Sequence, residues 1–188
     1  VDAAVRDEPV FYIQTNTRGE VESACREINR TLAARLAQAA RRHGKTLSVV
    51  SRSDSTLRWH YPLETQTLRE TLLEAGQPDF DGEVIAPCFF EGGRYTVGDV
   101  HYVEQGGALV PAGRTEFAKD LTFPFVHSDL KEYVREKAGA DTACVSIPIE
   151  MLRAQDIDGV YALLMDCRGF CKVIVNAACY EDLEVFVT

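Results

Sequence analysis

TLSVVSRSDSTLRWHYPLE, Thr46 to Glu64, is the stretch whose reading decides the fold. An apolar run, TLSVV, passes into a polar loop, and the loop passes at Pro62 into a helical pattern. Within nine residues the loop carries Arg52, Asp54, Ser55, Thr56, Arg58 and His60. A strand whose polar loop opens a helix is the repeating piece of an α/β fold. Such folds place ligands there, because the loop lies outside the carboxyl end of the sheet and the helix start presents free N–H groups. Arg52 and Arg58 offer bidentate donors for a carboxylate or phosphate. Asp54, Ser55 and Thr56 bond hydroxyls in either direction. The loop reads as the wall of a site for a small anion that also carries hydroxyls. The plainer alternative is a capped, solvated turn whose arginines pair with nearby acids.

Upstream, VFYIQT (Val10 to Thr15) has the apolar, β-branched and aromatic character of a buried strand. Thr17 followed three residues later by Glu20 fits a capping box, so a helix is predicted from there. Its apolar positions run from Val21 to Ala39 at three- and four-residue steps, and Arg41, Arg42 and Gly44 close it. With TLSVV as second strand this is a strand–helix–strand unit, and a right-handed crossover makes the strands parallel. Asn16 and Arg18 would then share a sheet edge with the loop Ser51–His60. Taken alone, Arg18 equally suits an exposed helix start.

Downstream, Pro62 opens a second helix that ends at Gly76, and EVIAPCFF (Glu83 to Phe90) reads as a third strand. Residues 92–113 change character: short alternating runs flank Gly106-Gly107, the pattern of a β-hairpin that leaves the parallel sheet as a lid or domain contact. Gly92-Gly93-Arg94 has the composition to hold a phosphate, and equally that of a simple turn. His101 reads as a packed or edge histidine, and Lys119-Asp120 as a solvated pair. Ser128 is expected to cap a helix running to Gly139. TACVSIPI, VYALLMD and KVIVNA read as three more strands, with a short helix around Met151, and YEDLEVFVT as the start of a helix. The expectation is one α/β domain over 1–188, a three-layer, mostly parallel Rossmann-like sheet with a β-hairpin excursion. Both ends read as though sequence has been removed.

A length of 188 residues suffices for one good core. A net charge of -9 argues against nucleic acid or an anionic membrane surface as partner, so an anion must be held by a local arginine cluster. No apolar run approaches a membrane helix and no signal segment opens the chain, which points to the cytoplasm. The six cysteines sit mostly in apolar runs, as buried free thiols do. Cys167, Cys171 and Cys179 lack a nearby histidine and the paired CxxC form, so no metal site is expected. The sequence leaves a homodimer open.

Four segments, in consistent order over nearly the whole chain, resemble one family. VSRSDSTLRWHYPLE is similar to the K/S-R-x-D-S-T-L-R-G-H-x-P signature of the four-carbon acid sugar kinases, which phosphorylate D-threonate, D-erythronate or 3-oxo-tetronates with ATP. TNTR (Thr15 to Arg18) resembles that family's T-N-[ST]-R, GRYTVGDVHYV its G-R-x-T-x-x-G-x-H-Y segment, and LVPAGRTEFAKDLTFPFVHSDL its L-V-P…S-D-L stretch. The resemblance implies the N-terminal, sugar-acid-binding domain of an ATP-dependent kinase. ATP and Mg²⁺ would bind chiefly to a separate C-terminal domain, and this chain alone would bind substrate without completing transfer. It implies Arg52, Ser55, Thr56, Arg58, Asn16, Arg18 and, more weakly, Arg94 as sugar-acid ligands. It also implies a catalytic carboxylate that is either Asp54 or part of an acidic D-D-x-T-G loop not found here. Trp59 stands where the signature has glycine. A non-catalytic sugar-acid sensor or effector domain is the alternative role.

Overall fold

Helices build the first of the two units into which the computed structural model, describing residues 1–188, divides. This unit comprises Val1–Ser53 and His60–Asp79. It holds α1 (Asp2–Asp7), α2 (Glu22–His43) and α3 (Leu63–Glu74), with α2 packed on both of the others. The buried side of α2 is made largely of alanines, Ala33, Ala37, Ala39 and Ala40 with Cys25 and Leu36, which lets neighbours approach closely. Val5 of α1 joins Leu36, Ala39 and Ala40 in a small core, with Phe11, Leu32 and Leu47 against it. Gly44 ends α2 at φ +61, as its sequence position predicts.

The second unit comprises Asp54–Trp59 and Phe80–Thr188. Its strands are β1 (Gly82–Ile85), β2 (Arg94–Val97), β3 (Val100–Gln105), β4 (Ala108–Pro111), β5 (Cys144–Ile147) and β6 (Cys171–Val175). Its helices are α4 (Leu130–Ala138), α5 (Ile149–Arg153), α6 (Ile157–Met165) and α7 (Tyr180–Val187). β1, β6 and β5 form a parallel sheet in that order, with Val173 of β6 opposite Val84 and Val145. All five residues of β6 are buried, as in a central parallel strand covered on both faces. The core joins Ile147, Val173 and Val175 to Leu152 of α5 and Val160 of α6. Lys172 bonds Glu83 at 2.5 Å across the sheet, a pair that is almost wholly buried. β2, β3 and β4 form a separate antiparallel sheet, and Gly106 and Gly107 turn the chain between the last two with positive φ at both positions. The α/β class, parallel sheet and hairpin excursion predicted from sequence are all present. No helix is long and apolar enough to cross a membrane.

Several expected elements take another form. Val10–Thr15 and Thr46–Val50 are not strands and pair with nothing in either sheet. Val10, Tyr12 and Val50 are 69%, 93% and 86% exposed. An apolar run becomes a strand only when a neighbour takes its ladder bonds, and neither run has one; the predicted parallel pair around α2 is therefore not formed. VYALLMD is helix α6, because the Asp156 side chain caps it by accepting from Gly159 N, and a short apolar run suits either state. α2 starts at Glu22, since the Thr17 hydroxyl is turned to Glu64 instead of capping. Asp129 caps α4, accepting from the Lys131 and Glu132 N–H groups, while the Ser128 hydroxyl accepts from Gly113 N. The third strand stops at Ile85, two residues before Pro87.

Candidate functional site

The second unit holds the segment Asp54–Trp59 by two bonds to backbone carbonyls. His101, fully buried on β3, donates from Nε2 to the Ser55 carbonyl at 2.7 Å. A carbonyl only accepts, so the ring hydrogen is on Nε2 and Nδ1, 3.0 Å from Thr96 Oγ1, accepts from that hydroxyl. Burial pushes His101 down to about 4, so it serves as a neutral ring. Tyr133 of α4 donates its hydroxyl to the Leu57 carbonyl at 3.2 Å, and its burial pushes its pKa well above the usual tyrosine range, so it stays a donor. Leu57 itself is buried at φ +64. These anchors fix a loop that would otherwise be free to move.

Arg58 links several groups around that loop. Its Nε donates to Asp54 Oδ2 at 2.9 Å and to Thr56 Oγ1 at 2.8 Å, and the Thr56 hydroxyl donates to the same Asp54 oxygen. Its Nη1 lies 3.7 Å from Asp120 Oδ2, close enough for attraction and too far for a hydrogen bond. Asp120 Oδ1 is taken by the Thr122 and Phe123 N–H groups. The guanidinium carbon stands 4.7 Å from the centre of the Phe117 ring. Arg94 stands 5.6 Å from the same ring, and its buried Nε has no acceptor. Two guanidinium groups thus share one aromatic surface, with Nη donors unspent on both. The Asp54 and Asp120 carboxylates already offset part of the charge at Arg58.

Gly93 sets Arg94 in place. It lies at φ +72, and a Cβ there would come within 2.7 Å of Glu104 Cβ. The phosphate-cradling alternative for Gly92-Gly93 does not hold, because both N–H groups are spent on Phe89 and Phe90 carbonyls. Trp59 does not adopt positive φ, so the left-handed residue of this loop is Leu57 and the signature's glycine is not needed for backbone freedom.

The other predicted residues belong to the first unit. Asn16 and Arg18 are exposed at a one-turn helix, Thr17–Gly19, with Asn16 Oδ1 accepting from Gln14 at 2.7 Å. Arg52 is exposed and donates to the Ser53 carbonyl. The structure therefore brings Asp54, Ser55, Thr56, Arg58 and Arg94 into one unit, and Asn16, Arg18 and Arg52 into the other.

Sequence reasoning missed Phe117, Asp120 and Glu64. Asp120 was readable only as a solvated charge, and nothing in TEFAKDL says that its ring and carboxylate meet Arg58. Glu64, in the first turn of α3, is 7% exposed. Its Oε1 accepts from the Thr17 hydroxyl at 2.9 Å and the Cys25 thiol at 3.6 Å, and its Oε2 from Ser51 Oγ at 3.4 Å. Burial, with Glu64 beside it, pushes the Cys25 thiol up to about 12, so it remains a donor. This first unit also has a surface cavity of about 610 Å³ lined by Ala34, Arg35, Gln38, Arg41, Arg42 and Ala75. None of these residues was predicted for the site, and Arg41 and Arg42 are engaged by the Ala75 carbonyl and Asp2.

The second unit thus presents an arginine pair beside hydroxyl and carboxylate groups. The chain belongs to the family of sugar-binding N-terminal domains, whose sequence pattern matches residues 2–188. No curated protein matches it. A Haemophilus influenzae protein assigned to the family DUF1537 has a similar solved structure, with TM-score 0.66 and 18% identity over 92% of this chain and 39% of that one. A Salmonella typhimurium LT2 protein, described as a candidate tRNA synthase, gives TM-score 0.59 and 18% identity over 83% of this chain and 36% of its own. The chain thus spans under two fifths of the length of each.

Proposed function

We propose that this domain is the sugar-acid-binding part of an ATP-dependent kinase acting on four-carbon acids such as threonate, erythronate or 3-oxo-tetronate. The observation that carries the reading is the pair of guanidinium groups at the Phe117 ring, with Arg58 oriented by Asp54 and Thr56. The acid's carboxylate lies on the unspent Nη donors of Arg58 and Arg94. Its hydroxyls meet Asp54 and the Ser55 hydroxyl, which bonds nothing in the chain. Because Nε of Arg58 is fixed by its own neighbours, the fork is aimed before the ligand arrives, and less ordering entropy opposes binding.

The family resemblance supports the kinase part of the reading. The chain has no group of three or more His, Cys, Asp or Glu that could hold a metal ion. In this reading, which follows the resemblance, Mg²⁺ and ATP bind chiefly to a separate C-terminal nucleotide-binding domain, and what this chain contributes is capture and orientation of the acceptor. Asp54, already beside the hydroxyl end of the ligand, is the proposed carboxylate that orients the attacking hydroxyl.

Isothermal titration with D-threonate and D-erythronate tests this. Saturable heat is expected with at least one acid, and Arg58→Ala and Arg94→Ala should each weaken it by at least about tenfold, roughly 1.4 kcal/mol. Absence of heat with every four-carbon acid, from a sample whose circular dichroism shows it folded, would contradict it.

A further inference from the structure

α6 is apolar on the side that faces the core and on the side that faces solvent. Val160 is buried, and Leu163 and Leu164 pack against the core of the parallel sheet. Ile157, Tyr161 and Met165, spaced four residues apart, are 44%, 63% and 50% exposed. Residues at that spacing lie on one side of a helix, so they form a continuous outer stripe roughly 12 Å long. A helix that is hydrophobic all round is one that is covered.

The charges at the ends of the stripe identify the cover. Asp158, in the first turn, is exposed and engages no other group in the chain. Arg168 follows the other end. Its Nη1 donates to the Met165 and Cys167 carbonyls, which holds the guanidinium beside the last residue of the stripe, and no carboxylate pairs with it. Asp166 is the other charge at that end, and by helical geometry it points about 140° away from the stripe. The stripe thus carries an unpaired acid at its start, an unpaired base at its finish, and Tyr161 midway between.

We propose that α6 is the contact between two copies of this chain, packed antiparallel about a two-fold axis through Tyr161. In an isologous contact of this kind each residue at one end meets its counterpart at the other. Ile157 meets the partner's Met165, the two Tyr161 rings meet each other, and Asp158 of each copy meets Arg168 of the other. The antiparallel arrangement also sets the positive start of each helix against the negative finish of its partner. This inference is independent of the sugar-acid reading.

Sedimentation equilibrium of the whole chain over a concentration series tests it. The wild type is expected to be a dimer whose dissociation constant rises with salt, because the end pairs are exposed at the rim. Tyr161→Glu, which places two like charges on the axis, should weaken it at least 100-fold. Asp158→Arg and Arg168→Asp should each weaken it about tenfold or more, and the double variant D158R/R168D, which restores both pairs with signs exchanged, should return to within a few-fold of wild type. All three positions lie outside the core, and circular dichroism checks that each variant folds. A wild type that stays monomeric at about 1 mM overturns the proposal, as does a dimer indifferent to Tyr161→Glu. So does a double variant no tighter than its parents.

Discussion

Asp54 and Glu64 lie ten residues apart in one motif and meet opposite surroundings. Asp54, in the second unit, accepts from a guanidinium and a hydroxyl and is itself part of an ionic cluster with Arg58 and, through it, Asp120. Glu64, in the first unit, is more deeply buried and meets only neutral donors, two hydroxyls and a thiol. A carboxyl group beside a guanidinium is an aiming device: its charge fixes where the fork points. One surrounded by Thr17, Cys25 and Ser51 ties three chain segments to the start of α3. The difference separates the part of the motif proposed to meet ligand from the part that holds the motif in shape.

The largest expected effect concerns the anchor of the Asp54 loop. With His101 at about 4 in the folded chain against an ordinary 6.5, the unfolded chain takes up this proton first as pH falls. Stability from this group is therefore complete above about pH 6.5, declines between there and about pH 4, and stops declining below, a total of about 3 kcal/mol. Asp54 and the Ser55 carbonyl favour the proton and Arg94 opposes it, yet burial outweighs all three. Urea unfolding across that window should show the slope, and His101→Gln should remove it. A wild-type slope that persists in the variant would place the pH dependence elsewhere.

A smaller effect separates the two carboxyl groups themselves. Asp54→Asn removes the charge opposite Arg58 and should cost about 2 kcal/mol of stability, because bonds to charged groups are the stronger ones. Glu64→Gln keeps an acceptor for Thr17 and offers Ser51 a donor, so it should cost less than about 1 kcal/mol. Denaturant midpoints of the two variants compared with wild type measure this. Equal costs, or the reverse order, would break the distinction.

The sequence makes legible whatever depends on local pattern. β6 shows in KVIVNA because a strand buried on both faces is an unbroken apolar run, and α2 shows in its three- and four-residue steps closed by Gly44. Gly106-Gly107 announces its own turn. Val10–Thr15 and Thr46–Val50 have the same local pattern, but a strand also needs a neighbour, and no pattern within a run supplies one. VYALLMD failed for a related reason, since six apolar residues in a row fit a strand or a helix equally until Asp156 caps it. In the site, Asp54, Thr56 and Arg58 bond one another across at most four residues and were readable together. Arg94 meeting Arg58 at the ring of Phe117 depends on contacts far apart along the chain, which side-chain chemistry alone does not encode.

The central claim is that the fork of Arg58, with Arg94 beside it, receives the carboxylate of a sugar acid. Side-chain ¹⁵N spectra of the arginines, followed while D-threonate and then D-erythronate are titrated in, test it most directly. The account predicts saturable shifts of the Arg58 and Arg94 guanidinium signals, lost together when Phe117 is replaced by alanine. Signals of Arg58 and Arg94 that stay fixed while those of Arg35, Arg41 or Arg42 move would contradict it.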